Sequence, residues 1–189
     1  MSMSQQTSIP QMVTQSRDVL TNPSVPTFER YERRGTFASA AIYVGLAALI
    51  AGVLGSVGGL GGIIYNAISA LINFFLFTGL VYYIGKQQGG TGTFDEVAYT
   101  FSLFIAPLAV IGAAIGLVLG ILGSIPFLGI VAGLAGALVA IIILVAQVYF
   151  AYLAVQSSMN IVDQGKALIT LGGAFLATVL IQIILGMLF

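Results

Sequence analysis

The sequence predicts an all-α, polytopic membrane protein with five transmembrane helices, and three observations carry that prediction. The twelve charged residues leave three stretches empty, 35–85, 97–162 and 167–189, of 51, 66 and 23 residues. A helix needs about 20 apolar residues to cross a hydrocarbon core about 30 Å thick, so these stretches hold two, two and one spans. The composition agrees: 59% hydrophobic, 6% charged and a mean hydropathy of +1.08 do not suit a soluble domain. Finally, five spans put the N-terminus, the Lys86 loop and the Lys166 loop on one side, and that side then holds all six Lys and Arg residues. The positive-inside rule makes it the cytoplasmic side, with the C-terminus opposite.

Residues 1–36 form a polar N-terminal segment. Met1–Gln11 is Ser/Gln/Thr-rich and reads as disordered, and a helical turn or two is expected over Met12–Leu20, stopped by Thr21-Asn22-Pro23. Thr27–Arg34 reads as a second short helix with Phe28 and Tyr31 on one side. Its three arginines against two glutamates are too few for a polybasic lipid patch, so it is expected to form an interfacial collar. No short apolar segment with a small-residue cleavage site precedes it, so the first span is expected to direct membrane insertion.

The five-span domain, 37–189, begins after Thr36, a candidate N-cap. The first span runs from Phe37 to about Val57 and turns through Gly58–Gly62. The second returns over Ile63–Ile84, ending at Tyr82-Tyr83, aromatic residues that favour the interface. Thr93-Phe94-Asp95-Glu96 has the capping-box pattern, so the third span starts at Phe94; Pro107 inside it is expected to kink the helix. One turn signal, Gly123–Pro126, separates it from a fourth span over Phe127 to about Gln156. The fifth occupies Ala167–Phe189.

No Asp, Glu, Lys, Arg or His lies inside a span, which argues against proton pumps, ion-coupled transporters and voltage sensors. The chain has no cysteine and no histidine, so thiol chemistry, disulfides and the usual general base are excluded. Asp95, Glu96 and Asp163 are better explained as helix caps than as metal ligands, and no metal or other cofactor is expected. A net charge of zero gives no surface for nucleic acid. Asn66, Ser69 and Asn73 share a face of the second span and are expected to hydrogen-bond across a helix interface, as are the lone amides Gln147 and Gln182. Gly112, Gly116 and Gly120 form a doubled small-xxx-small row, expected to admit a neighbouring helix within the same chain; homo-oligomers are compatible with it too. On that reading Gly116→Leu costs more stability than Gly52→Leu.

Gly89-Gly90-Thr91-Gly92-Thr93-Phe94-Asp95-Glu96 before the third span, Tyr99 and Ala106-Pro107 within it, and Gly165-Lys166-Ala167 opening the fifth complete a pattern. Over about residues 18–189 the chain resembles the Ypt-interacting protein (YIP) family, especially its short bacterial members. The resemblance implies a five-span fold, a cytoplasmic N-terminus, no known catalytic activity and residence in the bacterial inner membrane. Eukaryotic members bind Rab-type GTPases and shape early secretory membranes. Their Asp-Leu-Tyr-Gly-Pro motif is absent here, and Phe28-Glu29-Arg30-Tyr31 stands in that region, so GTPase recognition does not carry over with it. The expected function is a non-enzymatic membrane organiser or scaffold in contact with the lipid bilayer, recruiting a cytoplasmic protein partner through Phe28, Arg30, Tyr31, Arg33, Arg34, Asp95 and Glu96. The rival expectation is a small-solute or lipid permease using the Asn66/Asn73 face and the Pro107 kink.

Overall fold

The computed structural model describes residues 7–55 and 59–188, and every regular element among them is a helix. Two short helices, α1 (Ile9–Thr21) and α2 (Val25–Glu29), precede five long ones: α3 (Phe37–Gly55), α4 (Gly59–Gln87), α5 (Phe94–Gly123), α6 (Leu128–Ser158) and α7 (Gln164–Leu188). All five long helices have the length and hydropathy to cross a membrane.

Local chemistry sets their starts. Thr36 Oγ1 accepts from the Ser39 amide at 3.3 Å, and Asp163 Oδ1 accepts from the Lys166 amide at 3.0 Å, so each satisfies an amide that the first turn leaves without a partner. At α5 the Thr93 amide donates to Glu96 Oε2 at 2.7 Å while Thr93 Oγ1 accepts from the Glu96 amide at 3.2 Å, the reciprocal box expected from the sequence. The α5–α6 turn also falls where expected, with Phe127 held at φ 68°. The α3–α4 turn differs. Gly61 and Gly62 are already helical, because α4 starts at Gly59, whose φ of +65° suits a residue without Cβ. Gly58, the expected first residue of that turn, lies outside the described residues. Pro107 sits within α5, which continues past it to Gly123.

The spans touch in a closed cycle, α3 to α4 to α7 to α6 to α5 and back to α3, and α4 also meets α5 inside it. Burial is concentrated at one end of this bundle. The first half of α5, the last turns of α6, and Tyr43, Phe74, Val81, Ala167 and Ala174 make the core. Aromatic rings fill it: Phe104 meets Phe101 at 5.3 Å and stacks on Phe150 at 5.7 Å, while at its edge the exposed Phe37 lies 4.5 Å from Phe75. Toward the other end, α5 beyond Val110 and α6 before Gln147 present large aliphatic side chains outward, as lipid-facing helices should.

The N-terminal segment departs most from expectation. It is more than a turn or two of helix: α1 runs 13 residues from Ile9, with Ser8 donating its amide to Gln11 Oε1, and its Met12 and Val19 are fully buried against the bundle. Ile9–Gln11, expected within a disordered stretch, form its first turn; residues 1–6 lie outside the described residues. Over Phe28–Arg34 the segment is partly enclosed: Phe28 and Glu32 are buried in the bundle, while Arg30, Arg33 and Arg34 stay exposed.

Candidate functional site

Alternation of the spans brings α1, α2, the 88–93 loop and the α6–α7 link to one end, where they form a cap over the core. All twelve charged residues lie in this cap or in the helix turns that meet it. The segregation follows from solvent: a charge costs least where water or headgroups reach it.

Four contacts from three segments hold the cap. From α1, Gln15 Oε1 accepts from the Tyr99 hydroxyl at 2.5 Å, and Ser16 Oγ shares a hydrogen bond of 2.9 Å with the Tyr43 hydroxyl. From α2, the Phe28 ring stands edge-on to Phe104 at 6.3 Å. From the following turn, Glu32, only 4% exposed, accepts from Ser157 Oγ at 2.6 Å. Burial pushes the Glu32 carboxyl above its ordinary range, opposed by the Ser157 hydrogen bond. Asp18 shows the opposite shift: hydrogen bonds from Tyr31, at 2.7 Å, and Asn22 lower its pKa, with Arg30 adding to the effect.

The sequence-selected residues therefore separate into two groups. Phe28 is core, so its assignment to a partner-binding surface is corrected: its ring is fully enclosed. Asp95 caps another helix, its Oδ1 accepting from the Phe37 amide of α3 at 2.7 Å, and Glu96 closes its own capping box while pairing with Arg33 at 3.3 Å. Tyr31 is anchored through its hydroxyl to Asp18, with the guanidinium groups of Arg30 and Arg34 at 5.8 and 5.5 Å from its ring. Arg30 pairs with Asp18 at 3.1 Å and remains exposed, as do Arg33 and Arg34. These arginines, with Arg17, Glu29, Lys86, Asp95, Asp163 and Lys166, form the outward chemistry of the cap.

The glycine-rich loop has a packing explanation. The Thr91 amide donates to the Met159 carbonyl at 2.9 Å, the Gly90 amide to the Gly85 carbonyl at 2.8 Å, and Lys86 Nζ to the Thr91 carbonyl at 3.2 Å. A Cβ on Gly92 would collide with the Ser158 carbonyl oxygen, and one on Gly90 would stand 2.8 Å from that of Gly85. Gly89 adopts φ +89°, open to glycine at little cost. The motif is thus a clamp that seats the α4–α5 link on the end of α6.

Within the bundle, Asn73 and Asn66 separate. Asn73 Oδ1 accepts from Gln182 Nε2 at 2.7 Å and ties α4 to α7, as expected of interhelical amides, at about 1 kcal/mol. Asn66 lines an apolar groove of about 310 Å³ between α3, α4 and α5. The glycine row also divides: a Cβ on Gly112 would approach Ile143 of α6 to 3.2 Å, whereas Gly116 and Gly120 have nothing within 4 Å among the described residues. The expectation for Gly116 and Gly52 is consequently reversed. Gly52 is the close-packed one: a Cβ there would meet Ile63 Cγ2 at 3.2 Å and Ile63 Cα at 3.5 Å.

Sequence reading missed Gln15, Ser16, Glu32, Tyr43 and Ser157. A signal existed for α1, since Ile9, Met12, Ser16 and Val19 follow helical spacing, but the polar residues among them masked it.

With this geometry in hand, comparison by family puts a Yip1 domain on residues 17–186. The chain belongs to the Yip1 domain family. The match begins within α1 and ends within α7, so the last turn of α1, all of α2, four whole spans and nearly all of the fifth fall inside the Yip1 domain. Comparison with curated proteins and with solved structures finds no match. The chain is an integral, multi-pass membrane protein whose spans contact lipid, and Yip1 is not a known enzyme family.

Proposed function

We propose that this Yip1 protein is a non-enzymatic membrane scaffold that organises the bilayer and recruits a protein partner through the charged cap, which faces the cytoplasm. The observation that carries the reading is the complete segregation of charge: all twelve charged residues are at the cap end, and the opposite turns offer only apolar and small residues. A rigid, mixed-charge surface gives specificity through complementary pairing, and its net charge of zero favours a protein over an anionic membrane. Arg33 and Arg34 are the recruiting residues, because both are exposed and neither is enclosed in the core.

The absence of cysteine allows a clean topology test. Single cysteines replacing Gln88 and Gln164 react with a membrane-impermeant maleimide only from the cytoplasmic side, and one replacing Ser124 only from outside. Arg33→Gln with Arg34→Gln abolishes co-purification of the partner while insertion and thermal stability persist. Asn73→Leu weakens the α4–α7 contact and spares that binding. Saturable solute flux into proteoliposomes, lost on changing Asn66 and Asn73 and indifferent to the arginines, would replace the scaffold with the permease.

A further inference from the structure

We propose that the link between α2 and α3, residues 30–36, is a proton-controlled latch, closed on α6 while Glu32 is neutral and swung off Ser157 once Glu32 gives its proton to water. Backbone and burial together single out this link. It contains no regular helix, only turns in which the Tyr31 and Glu32 amides donate to the Phe28 carbonyl and the Arg34 amide to that of Tyr31. Among the described residues, Glu32 is nevertheless the one acid enclosed in the core. A buried carboxyl on a short irregular link is free to leave its site without unwinding a helix.

The surroundings of Glu32 are short of positive charge. Ser157 donates to its Oε2 at 2.6 Å, and α6 has no charged residue of its own. Glu32 Oε1 lies 3.6 Å from Arg33 Nε, but that nitrogen is also 3.3 Å from Glu96 Oε1 at the start of α5, so one guanidinium serves two carboxylates. The Arg33 side chain is 73% exposed, and water screens so open a pair to little value. Glu29 and Glu96 add like charge. The other nearby charges are committed elsewhere: Asp18 of α1 holds Arg30 and Tyr31, Arg34 stands over the Tyr31 ring, and Asp95 of α5 accepts from the Phe37 amide. Arg17 of α1 is exposed. Burial therefore outweighs Ser157 and Arg33 and holds the carboxyl above its ordinary range. An ionised Glu32 recovers its lost hydration by turning outward.

The rest of the cap has no cause to follow. Gln15 on Tyr99 and Ser16 on Tyr43 hold α1, and the Phe28 ring on Phe104 holds α2; none of these groups changes charge below about pH 9. Arg33 and Arg34 ride on the link, so their presentation follows its position. The latch itself does not depend on what they recruit.

The test uses the full chain in phospholipid nanodiscs and follows amide hydrogen exchange by mass spectrometry at about pH 5.5 and about pH 8.5, each rate referred to that of unstructured peptide at the same pH. Between the two, protection over residues 30–36 should fall about tenfold more than protection over α1. Carbon-13 in the side-chain carboxyls of Glu29, Glu32 and Glu96, the only glutamates of the chain, should show Glu32 titrating above the ordinary range, over the same pH interval as the loss of protection. Glu32→Gln should keep the link protected at both pH values. Glu96→Gln retains a capping-box residue and leaves Arg33 to Glu32 alone, so opening should move to higher pH. An equal fall over α1 and the link overturns the proposal, as does a Glu32 carboxyl that titrates in the ordinary range. A fall that persists in Glu32→Gln, or an opening that Glu96→Gln leaves unmoved, does the same. The first two outcomes need only the unaltered chain, so a folding defect cannot obscure them. No readout involves a partner, so failed recruitment leaves the latch standing and a failed latch leaves recruitment untouched.

Discussion

The cap-side half of the bundle and the far ends of α5 and α6 are built from similarly apolar sequence, yet they pack in opposite ways. In the cap-side half, aromatic rings, buried hydroxyls and backbone contacts interlock, from Phe28 on Phe104 to the 88–93 loop on Met159. In the far half, Ile141, Ile142, Leu134 and Leu138 point outward, and Gly116 and Gly120 meet nothing within 4 Å. The difference teaches where the stability of a membrane bundle comes from. Lipid tails are as apolar as leucine, so outward aliphatic side chains add little drive for helix association, and close packing and hydrogen bonds at the cap end must supply it.

The contrast is broken most severely at Gly92. Gly92→Val drives Cβ into the Ser158 carbonyl, and we expect a loss of about 3 kcal/mol, the top of the usual range for overpacking, read as a lowered thermal transition in detergent. Phe28→Ala comes next. Its ring is fully buried, and truncation should cost about 3 kcal/mol and raise proteolysis within α1 and α2, because their main hydrophobic anchor is gone. Gly52→Leu is smaller, about 1–3 kcal/mol, since Ile63 must give way.

Glu32 sharpens the comparison through pH. Its folded-state pKa is raised by burial, so its favourable contribution is complete below the ordinary glutamate range and is lost as pH rises through the raised value. Glu32→Gln keeps an acceptor for Ser157 without the charge. The variant should therefore lose less stability than the parent as pH rises from about 5 to about 8 in parallel thermal melts. An unchanged pH profile would show that the carboxylate is not desolvated. The smallest effect is expected at Gly116. Gly116→Leu should change stability by no more than about 0.5 kcal/mol, the zero against which Gly52→Leu is measured.

Much of the architecture is legible in the sequence because it depends on transfer from water to lipid, which each residue undergoes largely by itself. The positions of Arg34, Lys86, Glu96, Asp163 and Lys166 delimit the spans, and the Thr93/Glu96 box fixes the start of α5, since its partners are three residues apart. The candidate site is less legible. Phe28 and Arg33 stand five positions apart in the same polar segment, yet one is enclosed and the other largely exposed. The Gly116 row illustrates the same limit: spacing reveals that a helix could approach, and only geometry reveals that α6 does so at Gly112.

The sequence by itself determined the all-helical class, the five spans and the collection of every charge at one end, because hydropathy and charge act locally and additively along the chain. Tertiary structure alone decided that the polar N-terminal residues fold back as a cap. That outcome rests on partners distant in sequence: Gln15 with Tyr99, Ser16 with Tyr43, and Glu32 with Ser157, 125 positions away. A buried polar group is tolerated only when such a partner stands within hydrogen-bond reach, and that requirement is met by packing, not by the order of residues along the chain.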